Sequence, residues 1–234
     1  MLEITVDGLT KDFGATRAVD DLSFEIHPGR VVGLLGPNGS GKTTTLRMLL
    51  GLVAPTSGQA LIGGRIYGDI ADPGRVIGAV LEARAFHPGR SARDHLRVIA
   101  TEASLSHKRV DDVLGLVGLA EKAGNRAGSF SLGMGQRLSL AAALLGDPGV
   151  LILDEPTNGL DPAGIRWLRL LLRDLAAEGR TIVVSSHALG EVQQTADEVL
   201  ILDAGRLLSH RPMSEIDSLE DEFLTLTDRE EPVG

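Results

Sequence analysis

The chain has 234 residues, 43% of them hydrophobic, which suffices for one α/β domain with a modest satellite and excludes two independent enzymes. A formal charge of −9 disfavours broad electrostatic binding to nucleic acid or anionic lipid, and an aromatic content of 3% argues against base stacking. No apolar run approaches the ~20 residues that span a bilayer. The start MLEITVDGLT has neither a basic n-region nor an h-region, so the chain reads as soluble and cytoplasmic. The absence of cysteine excludes disulfides and thiolate metal sites without identifying a compartment.

In chain order, Ile4 and Val6 alternate with polar neighbours, Leu22, Phe24 and Ile26 repeat the pattern, and residues 31–35 form a continuous apolar run. These predict strands. The third enters a glycine-rich loop, 36–43, and residues 42–50 have helical composition. Another β-like run covers 76–81. Between 83 and 146 such runs disappear. Helices are predicted over 91–103, with Ser91 capping ahead of Asp94, over 106–118 behind another serine, and over 134–146. Apolar strands return at 150–153, 181–184 and 199–202. Between the first two, a helix starts at Asp161-Pro162, carries Ile165, Leu168, Leu171, Leu172 and Leu175 on one face, and stops at Gly179. The fold class is α/β, with a largely parallel sheet buried on both faces. The division is 1–82 and 147–210 for the core, 83–146 for an inserted helical unit, and 211–234 for a short acidic, mobile tail.

The chemistry begins at GPNGSGKT, 36–43. Gly36, Gly39 and Gly41 let the backbone turn its N–H groups inward, so that amides and the helix N-terminus surround a β-phosphate. Lys42 adds a mobile positive charge and Thr43 a hydroxyl for Mg²⁺. Asp154 follows four apolar strand residues and stands at the sheet's C-terminal edge, where it can hold Mg²⁺ through water. Glu155 can reach an attacking water. Taken alone, this acidic pair reads as a solvated turn; coupled to the phosphate loop it reads as a site. His187 follows the strand ending in Val184-Ser185-Ser186, where an imidazole can bond a γ-phosphate oxygen. A lone histidine there is otherwise structural or exposed.

These residues resemble the ATP-binding subunits of ABC transporters from Leu2 to about Thr227. GPNGSGKTT, which adds Pro37, Asn38, Ser40 and Thr44 to the glycines, resembles the Walker A loop. LILDEP, 151–156, is similar to Walker B with its catalytic glutamate. Phe13 looks like the aromatic that stacks on adenine, NGLD, 158–161, resembles the D-loop and brings in Asp161, and His187 resembles the switch histidine. FSLGMGQR, 130–137, is similar to the family signature, LSGGQ followed by x-Q-R; Leu132 stands in place of a glycine and Met134 in place of a glutamine.

The resemblance implies a P-loop NTPase core of RecA type with an N-terminal antiparallel β subdomain and the inserted helical subdomain. It implies ATP and Mg²⁺ as cofactors, ATP hydrolysis, and a second ATP-binding subunit, a homodimer partner packed head to tail. In that dimer Ser131 and Gly133 of one subunit hold the γ-phosphate at the other's site. It further implies a separate transmembrane permease that holds the chain peripherally on the inner face of the membrane. Where the family usually has a glutamine touching Mg²⁺ and the attacking water, this chain has Glu82, which is expected to contact Mg²⁺ and nucleotide with Thr43 and Asp154 and to act as a coupling residue at the seam between sheet and helical subdomain. Its context, IGAVLEARAFHPGRSARDHL, resembles a group associated with bacitracin-type and lantibiotic-type exporters. A coupling segment of the permease is expected beside 83–88, where Phe86 reads equally as an apolar anchor and as core. Two alternatives remain. One is a non-transport ABC ATPase acting on nucleic acid or ribosomes, although tandem cassettes, zinc-binding cysteines and coiled coils are missing. The other is an ATP-gated interaction module, against which Glu155 and His187 argue.

Overall fold

A computed structural model describes residues 2–82 and 86–227. The N-terminal residues form an antiparallel sheet in the order β2-β1-β4, from β1 (Ile4–Phe13), β2 (Thr16–Ile26) and β4 (Ser57–Ile62). Ile4, Val6 and Leu9 of β1 are buried with Leu22, Phe24 and Ile26 of β2, so alternation supplies one apolar face. The hairpin closes tightly, with Phe13 opposite Thr16.

The second sheet has six strands in the order β5-β6-β7-β3-β8-β9. Here β3 is Val31–Leu35, β5 Ile77–Val80, β6 Val150–Asp154, β7 Thr181–Ser186, β8 Glu198–Asp203 and β9 Arg206–Pro212. The first five run parallel; β9 pairs antiparallel with β8. The central strands are apolar on both sides because both faces are covered. Val31, Leu151 and Ile182 point into one core; Val32, Ile152 and Val183 point into the other, shared with the antiparallel sheet and with α1 (Lys42–Leu49).

A short α2 (Pro73–Val76) leads into β5. The first core is closed by α3 (Ala92–Glu102), α4 (Lys108–Leu116), α5 (Leu132–Leu144) and α6 (Pro162–Ala177). Their starts are chemically marked. Ser91 Oγ accepts the Asp94 N–H at 3.1 Å, Ser131 Oγ the Met134 N–H at 3.2 Å, and Asp161 Oδ1 the Gly164 N–H at 2.8 Å. Each such cap stabilises its helix by about 1 kcal/mol. The cap on Ser131 moves the start of α5 to Leu132, two residues ahead of the expected 134. Helix α5 is tied to α6 by Arg137, whose guanidinium lies 4.0 Å from the Trp167 ring and donates to Val117 O at 3.0 Å.

The C-terminal stretch corrects one expectation. Residues 211–227 are packed, not a mobile tail. Strand β9 runs to Pro212, and Ile216 and Leu219 are buried beside Leu35, Val199 and Ile201 and against α7 (Leu189–Thr195). Phe223 of α8 (Leu219–Thr227) packs on the same cluster. The acidic residues Glu220, Asp221 and Glu222 occupy the first turn of α8, where negative charge suits the helix dipole.

Candidate active site

The loop between β3 and α1 is built by close approach. Gly41 has φ 101°, and a Cβ there would lie 2.6 Å from Ala18 O, so only glycine fits. No side chain caps α1, which leaves its first-turn N–H groups available to an anion. Lys42 is buried, and its Nζ donates to Gly36 O at 2.7 Å and Pro37 O at 3.0 Å. Burial lowers the Lys42 pKa, and the nearby charges of Glu155 and Asp154 oppose that shift. Ser40 Oγ is buried in the same loop without a hydrogen-bond partner.

The ends of β6 and β7 face this loop. Thr43 Oγ1 donates to Asp154 Oδ2 at 2.8 Å, and Ser185 Oγ donates to Asp154 Oδ1. Glu155 takes φ 50°, unusual for a residue with a side chain, and its N–H is shared between Ser185 Oγ at 3.0 Å and Ser185 O at 3.2 Å. His187, just past β7, places Nδ1 2.8 Å from Glu155 Oε2. An open cleft of about 410 Å³ is lined by Phe13, Ala18, residues 38–44, Asp154 and Glu155. Phe13 is half-exposed at its mouth, with Lys11 Nζ 5.0 Å from the ring centre.

Not every expected residue lines that cleft. Glu82, expected beside Thr43 and Asp154, instead lines a separate groove of about 390 Å³ with Arg47, Leu52, Tyr67, His95 and Ile99. Gly36, Pro37, Ser131, Gly133, Asp161 and His187 are also absent from the cleft lining; Gly36 and Pro37 hold Lys42 through their carbonyls, His187 reaches the cleft through Glu155, Ser131 and Asp161 cap helices, and Gly133 lies in the first turn of α5. Phe86 is half-buried on the helical core, its ring 6.0 Å from His95 and nearly edge-on, whereas 83–85 of the expected permease contact lie outside the described residues. Sequence reasoning missed Ser185, which orients both carboxylate residues. Its one signal was two hydroxyls ending an apolar strand.

The donor set fits a nucleoside triphosphate. Uncapped amides and Lys42 converge where phosphates would lie. Among the described residues no group of three or more His, Cys, Asp or Glu could cage a metal. Thr43 and Asp154 offer the one or two hard oxygen ligands that Mg²⁺ takes when phosphates and water supply the rest.

Fold and cleft together define a P-loop protein with an acid–histidine pair at its phosphate end. The ABC transporter family model matches residues 19–158, and the chain belongs to that family as an ATP-binding subunit. It is 43% identical over 224 residues to the bacitracin transport ATP-binding protein BcrA of Bacillus licheniformis, a match covering 94% of this chain and 73% of that protein. It is 36% identical to the lantibiotic transport ATP-binding protein SrtF of Streptococcus pyogenes, covering 94% of this chain and 95% of that one. A solved ATP binding subunit of an ABC transporter superposes with a TM-score of 0.88 at 28% identity, covering 96% of this chain and 99% of that chain.

Proposed function

We propose that the chain binds and hydrolyses ATP at this cleft to drive export of a drug or antibiotic peptide through a separate membrane permease. The observation that carries this is the Glu155–His187 pair beside Lys42, Thr43 and Asp154 at the mouth of the phosphate loop. Phe13 stacks on adenine, and residues 36–44 hold the phosphates. Glu155 takes a proton from water as the water attacks the γ-phosphorus, and the bond to the β–γ bridging oxygen breaks to leave ADP. His187 holds Glu155 through Nδ1, and its other ring nitrogen, Nε2, meets a γ-phosphate oxygen. Mg²⁺, held by Thr43 and Asp154, would neutralise phosphate charge.

Two copies pack head to tail, so that Ser131 and Gly133 of one subunit, at the start of α5, complete the phosphate site of the other. The core segments 1–82 and 147–210 and the inserted unit 83–146 serve this arrangement by placing the signature apart from the chain's own cleft. The permease meets the groove around Glu82, where half-exposed and exposed apolar residues such as Tyr67 and Leu52 are available. No helix among the described residues is long and apolar enough to cross a membrane, which fits a partner that does. Relatives named for bacitracin and lantibiotic transport favour this reading over action on nucleic acid or ribosomes.

Size-exclusion chromatography of Glu155→Gln with and without Mg-ATP tests the assembly. A dimer only with nucleotide is expected; a monomer in both conditions contradicts it.

A further inference from the structure

Leu132, where the signature departs from its family's pattern, sits on the loop that carries Glu155. It is the first residue of α5 and half-exposed. Its side chain lies against Gly159. A Cβ at Gly159 would fall inside Leu132 Cγ and Cδ2 and lie 3.0 Å from Leu132 Cβ. The contact has a backbone half as well, because a Cβ at Gly133 would stand 3.0 Å from Gly159 O and 3.5 Å from Leu160 Cδ2. Gly159 has φ 81°, so glycine is favoured there twice, by conformation and by the space Leu132 takes.

Gly159 is mechanically close to Glu155. The Asn158 N–H donates to Glu155 O at 3.2 Å, the Leu160 N–H donates to Thr157 O at 3.0 Å, and Asp161 then anchors the loop as the cap of α6. Such a chain of tight turns has little slack. Glu155 itself sits at φ 50°, a conformation that persists only where its surroundings over-determine it. Ser185 supplies one constraint, on the Glu155 N–H. The opposite end of the loop rests on Leu132 and Gly133.

We propose that Leu132 is a positioning residue for ATP hydrolysis: seated on Gly159, it fixes the loop 155–161 and so aims Glu155 at His187 and the attacking water. This rests on the reading of Glu155 as the base. Leu132 touches no reacting atom. It links the segment that meets the partner's phosphate to the loop that serves the chain's own.

A reciprocal-rescue cycle tests it. Steady-state ATPase activity of the full chain is measured for Leu132→Gly, Gly159→Ala and the double variant, with melting temperatures recorded alongside. Gly159→Ala carries two costs, the left-handed φ, which remains in either background, and the collision, which Leu132→Gly removes. A displacement on the order of 1 Å can cost about 10²-fold in rate. Each single variant is therefore expected to lose roughly tenfold or more in kcat with KM changed by no more than about twofold. The double variant is expected to recover above Gly159→Ala and to lose less than the product of the two single losses, because the collision is gone while the left-handed φ cost remains. Strictly multiplicative losses, or a loss confined to KM, overturn the proposal. If Gly159→Ala does not fold, Leu132→Gly alone decides: a kcat within about twofold of the parent overturns the proposal, and a tenfold loss at constant KM sustains it. Glu155→Gln, run beside them, separates the two claims. If it abolishes turnover while the cycle is multiplicative, only the role of Leu132 fails; if it turns over normally, the reading of Glu155 fails and the role of Leu132 falls with it.

Discussion

Glu155 and His187 stand just past the ends of two neighbouring parallel strands, with Oε2 of one 2.8 Å from Nδ1 of the other. The register of β6 on β7, Asp154 opposite Ser185, produces this pairing, and Ser185 completes it by holding both Asp154 and the Glu155 amide. The contact therefore follows from the sheet. If His187 orients Glu155 and meets phosphate charge, His187→Ala lowers kcat on the order of 10²-fold, as loss of one preorganised donor does. ATP affinity should change only a few-fold. Isothermal titration with ATP, run beside a phosphate-release assay, checks both parts; a loss of affinity with kcat intact contradicts the role.

Thr43 and Asp154 share a 2.8 Å hydrogen bond that brings two oxygens together at the cleft floor. Asp154→Asn removes the charge that a divalent cation needs while keeping the shape. The Mg²⁺ concentration for half-maximal ATPase activity is expected to rise about tenfold or more, since one charged ligand is lost. An unchanged Mg²⁺ titration shows that Asp154 is not a metal ligand.

His95 is buried in α3, and its Nδ1 lacks a hydrogen-bond partner. Burial first, and the Arg90 charge second, lower its pKa from 6.5. In the window between the depressed native value and 6.5 the unfolded chain binds more protons than the native one, so stability rises with pH. This contribution is complete above 6.5 and is lost as pH falls through the native value. His210 is shifted the same way by burial and by His27. Melting temperature should therefore fall on acidification below about pH 6.5, and less steeply in His95→Gln. A pH profile identical to the parent's removes His95 from the cause.

Most of the architecture was legible because its signals are local. The apolar runs at 31–35 and 150–153 had to be buried strands, and Ser91, Asp161 with Pro162, and Gly179 mark helix ends by their own chemistry. The missed strands have no such mark. Only Ala60 and Ile62 of β4 are buried, and β9 is an edge strand with no fully buried residue, so neither presents an apolar pattern. The tail misled for a related reason: only four apolar residues, Met213, Ile216, Leu219 and Phe223, dock it, scattered among charged neighbours. In the site, Lys42, Thr43, Asp154, Glu155 and His187 could be named from spacing and resemblance. Ser185 could not, because its role arises from strand register. Glu82, read by analogy with a glutamine, lines the groove with Arg47, Tyr67 and His95, a surrounding that no local sequence pattern announces.

Glu155 as the hydrolytic base is the claim on which the rest depends. Phosphate release from saturating Mg-ATP, measured for Glu155→Gln beside the parent with ATP affinity determined on the same preparations, tests it most directly. The variant is expected to bind ATP within a few-fold of the parent and to hydrolyse it at least about 10²-fold more slowly. Phosphate release at the parent's rate would contradict it.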